Sequence, residues 1–213
     1  MKLNWYFDFI SPFAYLQLSQ FSRLPETVEI EFKPILFAGL LKAWNNVGPA
    51  EIAPKRIFTY KHCYSIAKKN NIPFTMPPAH PFNSLAALRL AIACQSNKKS
   101  IQIIFDTIWK AGRSLDDTKT LDLLSSELQL NNIQELIANP KVKDILRSNS
   151  EEAIQSSVFG VPTFVTQDDS KEIFWGYDAF EMLLDYIEDP ISYYDQEMLN
   201  IQQLPEGIQR TRV

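Results

Sequence analysis

Leu3-Asn4-Trp5-Tyr6-Phe7-Asp8-Phe9-Ile10-Ser11-Pro12-Phe13-Ala14-Tyr15 is the stretch on which the reading of this chain turns. Leu3, Trp5, Phe7 and Phe9 share one parity and Asn4, Tyr6 and Asp8 the other, which is the alternation of a half-buried strand. Ser11 then stands where a helix begins, with Pro12 at the first helical position. A hydroxyl there lies beside unpaired backbone N–H groups at the positive end of a helix and can help stabilise an anion. An N-cap followed by proline also explains Ser-Pro without any function, so these residues alone leave both readings open.

Outward from this junction the pattern is consistent. Val28-Glu29-Ile30-Glu31-Phe32-Lys33 alternates as a second strand, after a helix whose face carries Ala14, Leu18 and Phe21, giving a β-α-β start. From about Ala50 to Gln155 the spacing turns helical, with Ala86, Leu90 and Ala93, then Ile103, Ile104, Ile108 and Ala111, punctuated by Gly112 and Pro140. Phe159-Gly160-Val161-Pro162 precedes the short apolar strand Thr163-Phe164-Val165, and an X-Pro bond at a strand entry can be cis. A turn at Asp168-Asp169-Ser170, a strand Ile173-Phe174-Trp175 and a helix with Phe180, Leu183, Leu184 and Ile187 on one face follow. The expected class is α/β: residues 1–50 and 158–213 make one discontinuous domain with a C-terminal tail, and 51–157 form an all-helical insertion. A cleft between two such lobes is a natural ligand site. Strand, serine-capped helix and later Val-Pro-strand together resemble a thioredoxin-type fold, which implies that Val161 faces the N-terminus of the first helix with its N–H and C=O available to an extended ligand.

Composition bounds the function. The 213 residues are 46% hydrophobic and 22% charged, enough to bury a sizeable core, and the net charge is -4. No Lys or Arg run marks a nucleic-acid face, and no apolar stretch is long enough to cross a bilayer, so neither nucleic acid nor membrane is an expected partner. The expected location is cytoplasmic. Cys63 and Cys94 form no Cys-x-x-Cys pair, which removes dithiol exchange, and both are expected as buried small hydrophobes, Cys63 among Ile57, Tyr60, Tyr64 and Ala67. No His, Cys or carboxylate cluster has metal-ligand spacing. His62 and His80 leave a Ser-His-acid triad without support; His80 reads as an exposed loop residue and Asn83 as an N-cap.

Four motifs in order carry a specific resemblance: Phe7-Asp8-Phe9-Ile10-Ser11-Pro12-Phe13-Ala14-Tyr15-Leu16, Gly48-Pro49-Ala50-Glu51-Ile52-Ala53-Pro54-Lys55-Arg56, Met76-Pro77-Pro78-Ala79-His80-Pro81-Phe82-Asn83, and Phe159-Gly160-Val161-Pro162-Thr163-Phe164 with Trp175-Gly176-Tyr177-Asp178. Over residues 1 to about 187 the chain resembles the 2-hydroxychromene-2-carboxylate isomerase family, close to kappa-class glutathione transferases and built on the DsbA-like thioredoxin fold. The resemblance implies glutathione as cofactor and a small aromatic substrate. It also implies reversible addition of the glutathione thiolate to an unsaturated acceptor, and a homodimer. Ser11 would be the catalytic residue, a hydroxyl donating to sulfur rather than a nucleophile. The backbone of Val161 and Pro162 would pair with the glutathione main chain, and Asp178 would hold the γ-glutamyl ammonium. Asn46 and Lys55 would also hold glutathione, Lys55 as a cation for the glycyl carboxylate and Asn46 as an amide hydrogen-bonder; the chain reads Ala53-Pro54 where relatives have proline at position 53. The residues themselves keep other readings open. Asp178 with Glu181 has capping-box spacing, Lys55 can be a solvated charge, and Asn46 an ordinary loop residue. The proline-rich segment 77–81 would wall a flat substrate. A kappa-like transferase that consumes glutathione, and a non-catalytic thioredoxin-fold module that docks a peptide at Val161-Pro162, are the alternatives. The tail from Pro190 has no assigned role.

Overall fold

The strand that opens the chain, β1 (Lys2–Phe7), lies inside a four-stranded sheet of order β2-β1-β3-β4, completed by β2 (Glu29–Pro34), β3 (Thr163–Thr166) and β4 (Ile173–Trp175). The structure is a computed structural model that describes residues 1–115, 117–201, 203–205 and 207. The helices are α1 (Pro12–Leu18), α2 (Phe37–Ala43), α3 (Ala53–Lys69), α4 (Leu85–Ala93), α5 (Lys98–Phe105), α6 (Thr118–Glu127), α7 (Ile133–Ala138), α8 (Pro140–Gln155), α9 (Phe180–Glu188), α10 (Pro190–Tyr193) and α11 (Gln196–Ile201). Among the described residues none of them is long and apolar enough to cross a membrane. This is the DsbA-like thioredoxin architecture: a mixed sheet interrupted between β2 and β3 by helices.

β1 and β2 are parallel, with Trp5 opposite Phe32, so α1 and the 3-10 segment Ser19–Arg23 are the crossover that a parallel pair requires. β3 and β4 add on antiparallel, Trp5 facing Phe164 and Phe164 facing Phe174. The expected half-buried strand is instead buried on both faces from Leu3 to Phe7. Its position explains this, because β1 has a strand on each edge and helices on each side. Leu3, Trp5 and Phe7 pack with Phe21, Phe164 and Phe180 on one face; Tyr6 packs with Ile35, Leu40 and Val165 on the other.

Helices α3 to α7 lie within the insert, but α8 lies on the sheet. Tyr6 Oη donates to the Glu152 carboxylate at 2.8 Å, Lys33 pairs with Glu152 at 3.2 Å, and Asn149 donates to the Pro34 carbonyl at 3.1 Å. Sheet and insert also share one core, in which Phe105 at the end of α5 lies 4.5 Å from the Phe9 ring and 6.3 Å from Trp5, centroid to centroid.

Cys63 is buried as expected, but its neighbours and the burial of Cys94 need correction. In α3 the buried side is Cys63 and Ala67, whereas Ile57 and Tyr64 fall on solvent-facing turns. Cys94, just past α4, is only half buried. The tail packs at its start: α10 brings Tyr193 to 6.2 Å from Phe174 and 5.3 Å from Tyr186, covering the β4 side of the core.

Candidate functional site

The turn between β1 and α1 is held from every side. Ser11 is the N-cap of α1: its Oγ accepts from Ala14 N–H at 3.3 Å and Pro12 occupies the first helical position. Asp8, buried at the end of β1, accepts from the Ile10 N–H at 3.0 Å and the Phe37 N–H at 2.9 Å. Burial pushes its carboxyl upward, opposed by hydrogen bonds from Ser84 and from the Phe37 and Ile10 amides. Trp109, fully buried in the π-helical turn Asp106–Lys110, donates to the Phe9 carbonyl at 2.9 Å. His80 Nε2 lies 2.8 Å from the Ile10 carbonyl. A carbonyl only accepts, so Nε2 carries the proton. His80 is therefore not the exposed loop residue of the sequence reading. It is half buried, and burial lowers its pKa against the opposing bond to Ile10.

Across this turn stands the loop before β3. The Val161-Pro162 bond is cis, and Ser11 Oγ donates to the Val161 carbonyl at 3.4 Å across 150 residues of sequence. The Val161 N–H has no partner among the described residues. Gly176 N–H donates to the Pro162 carbonyl at 2.9 Å, and the Gly176 carbonyl accepts from Gln17 Nε2 at 2.7 Å. Gln17, fully buried in α1, also accepts from Trp5 Nε1 at 2.7 Å. One amide thus joins β1, α1 and the 176–178 turn. Gly176, at φ +94°, adopts the left-handed backbone this turn needs, and the Asp178 carboxylate lies over the space a Cβ would take.

Of the residues singled out from sequence, Ser11, Val161 and Pro162 meet directly, and Gln17 ties the turn bearing Asp178 to them. Asp178 is exposed and makes no hydrogen bond among the described residues. The capping reading of Asp178 does not hold: Ala179 is the N-cap of α9 without a side-chain cap, and Glu181 pairs bidentately with Arg23 at 2.7 and 2.8 Å. Asn46 and Lys55 are exposed and share no bond with this group. Asn46 accepts from its neighbour's N–H, Val47, at 2.9 Å; it follows Trp44, whose indole donates to the Val158 carbonyl at 2.8 Å. Lys55 lies in the first turn of α3, two turns before His62 on one face, and the His62 ring meets Phe13 at 5.7 Å. Asn83 caps from one residue early: Ser84 is the N-cap of α4, and Asn83 Oδ1 accepts from the Leu85 N–H at 3.0 Å.

Among the described residues the hydroxyl of Ser11 has no base hydrogen-bonded to it, neither imidazole included. Its one proton points at a carbonyl that an incoming ligand can replace. The site can orient and polarise a ligand atom; it cannot deprotonate its own serine. Phe159 and Trp175, both about half exposed, form an edge-on pair at 5.0 Å beside Gly160, where a Cβ would collide with the Trp175 indole.

Sequence alone gives Gln17, Tyr60, His80 and Trp109 no role at this site. One signal existed for Gln17, because an indole on the core parity of β1 requires an acceptor for its N–H.

Comparison with known proteins gives a consistent placement. The chain is 28% identical over 195 residues to the 2-hydroxychromene-2-carboxylate isomerase of Sphingobium xenophagum, covering 88% of this chain and 98% of that one. It is 21% identical over 207 residues to glutathione S-transferase kappa 1 of Caenorhabditis elegans, covering 89% and 92%. A solved structure of 2-hydroxychromene-2-carboxylate isomerase superposes with a TM-score of 0.78 at 23% identity, over 96% of this chain and 100% of that chain, which is a likeness of fold. The model of the DSBA-like thioredoxin domain matches residues 2–188. A match running from the first strand to the last residue of α9 makes the chain a member of the DSBA-like thioredoxin domain family.

Proposed function

We propose that this protein is a glutathione-dependent isomerase of the 2-hydroxychromene-2-carboxylate type. The observation that carries the proposal is a site with donors for a thiol and no thiol of its own. Ser11, not cysteine, heads α1 opposite the Val161 carbonyl, while Cys63 is buried in α3 with its thiol pushed up to about 12 and Cys94 lies beyond α4. The sulfur must then come with the ligand.

The polar groups around Ser11 and on the neighbouring turns fit glutathione. The Val161 N–H and C=O would pair with the cysteinyl backbone, the free carboxylate of Asp178 would receive the γ-glutamyl ammonium, and the first N–H groups of α9 its carboxylate. Lys55 would hold the glycyl carboxylate, and Asn46 would add an amide hydrogen bond to glutathione. Bound glutathione supplies a thiolate able to add to a substrate double bond and to leave again. Ser11 would turn its proton from the Val161 carbonyl to the sulfur and favour the charged form. Holding thiolate and acceptor together would supply the rate advantage. A cytoplasmic homodimer is part of the same proposal, and exposed Ile57, Phe58 and Tyr64 on α3 offer an apolar face for it.

The test is stoichiometry. Substoichiometric glutathione should support many turnovers of a chromene carboxylate and end with its free thiol unchanged. A reaction that stops after one equivalent, with a thioether as product, would make the protein a kappa-like transferase. No retention of glutathione by the folded protein would leave the peptide-docking module.

A further inference from the structure

The peptide unit between Ile10 and Ser11 sets where the Ser11 side chain points, and it is gripped at both ends. Its N–H, on Ser11, donates to the Asp8 carbonyl at 3.0 Å; its oxygen, on Ile10, accepts only from His80 Nε2 at 2.8 Å among the described residues. His80 is itself fixed. Its Nδ1 lies 2.7 Å from Tyr60 Oη on α3, which also lies 2.9 Å from the His80 carbonyl, and the imidazole packs edge-on against Tyr60 at 5.2 Å and Trp109 at 5.5 Å. We propose that His80, oriented by Tyr60, is a positioning residue for Ser11, holding the Ile10–Ser11 peptide so that the hydroxyl keeps its aim at the ligand sulfur. This rests on the reading of Ser11 as the thiol's hydrogen-bond donor.

The proton count supports a clamp that survives titration. In neutral His80 the Nε2 proton goes to Ile10, and Nδ1 accepts the single phenolic proton of Tyr60. In the imidazolium Nδ1 donates to Oη, which frees the phenolic proton for the His80 carbonyl. The bond to Ile10 is the same in both states. The groups facing His80 are the Tyr60 phenol, the Ile10 peptide and the uncharged rings of Phe82 and Trp109. Arg56, one turn before Tyr60, acts on that phenol, and the Asp8 carboxylate holds the Ile10 N–H from the other side. The proline-rich segment is thus a strut between α3 and the Ser11 turn.

The full-length protein and its His80→Ala, His80→Gln and Tyr60→Phe variants are compared by thiolate absorbance of bound glutathione against pH and by steady-state kinetics. In His80→Ala the thiol midpoint should rise by about 0.5–1 pH unit and kcat fall about tenfold, with KM for glutathione within about twofold, because the contacts at Val161 and Asp178 remain. His80→Gln, whose amide N–H can replace Nε2–H, should recover most of both, and Tyr60→Phe should shift the midpoint upward by less than His80→Ala. A wild-type midpoint and kcat in His80→Ala overturn the proposal even if the melting temperature falls. So does equal loss of kcat and glutathione binding with no rescue by Gln. If His80→Ala does not fold, an unshifted midpoint in Tyr60→Phe overturns it. Should the wild-type protein bind no glutathione by calorimetry, the functional reading fails separately. Crystal structures of wild type and His80→Gln or His80→Ala then decide the clamp: it stands if the alanine variant alone rotates the Ile10–Ser11 peptide, and falls if it keeps the wild-type orientation.

Discussion

Ser11 combines a fixed backbone with a hydroxyl proton that a ligand can redirect. Ser11→Ala should lower kcat about a hundredfold and raise the midpoint of bound thiol, with a smaller effect on glutathione affinity; identical thiol titrations in both proteins would remove Ser11 from the chemistry. Losing the cap should also cost about 1 kcal/mol of stability. Asp178 makes the complementary prediction: Asp178→Ala should weaken glutathione binding about tenfold and leave the melting temperature unchanged, because the carboxylate caps nothing. Unchanged affinity by calorimetry would rule out the contact. Burial lowers the pKa of His80, so the folded chain binds fewer protons there than the unfolded one. Stability should therefore be lost as pH falls below about 6.5, and His80→Gln should flatten the melting temperature between about pH 7 and 5. Asp8 has the opposite sign, its raised carboxyl giving stability that is lost as pH rises from about 3.9 through its folded-state value; both proteins share it, so the difference between wild type and His80→Gln isolates His80. The serine and Val161-Pro162 were legible because each announces itself through its immediate neighbours. His80 was not, because its partners Ile10 and Tyr60 lie 70 and 20 residues away and only the folded chain assembles them.

Among the elements, alternation located β1 and β2 to within two residues but misjudged burial. Periodicity reports which side chains share a face; the number of faces covered depends on β3 and α8, which arrive more than a hundred residues later. In α3 the error is rotational, since Ile57 and Tyr64 repeat at a helical interval yet share a face that is exposed among the described residues. At the β3–β4 end, Gly160 lets the Trp175 indole lie against the loop. Gly160→Ala must displace that indole, and because it is half exposed it can swing away. The fold should survive with a melting temperature within a few degrees, while Trp175 fluorescence shifts and glutathione affinity falls. An unchanged emission spectrum would show that the loop, not the indole, had moved.

Taken whole, the chain should unfold as one unit, because the aromatic core crosses from the sheet into the insert through Trp5, Phe9 and Phe105. Calorimetry should show a single transition; two separable ones would mean that the insert is energetically independent. Trp109→Phe removes the bond to Phe9 and part of a fully buried ring, and should cost about 2–3 kcal/mol in denaturant unfolding. None of this long-range continuity has a local signature. Gln17 has a consequence of another kind. Its amide is bonded at one end to the indole of β1 and at the other to the turn that bears Asp178, so the spacing of the Ser11 turn from the Asp178 turn is a set length. A pair of calipers so locked measures what is laid between its tips. Under the proposed function, a tripeptide joined through the α-carboxyl of its glutamate, shorter than the γ-linked one, should fail to touch both at once, and replacing Gln17 should blur that discrimination.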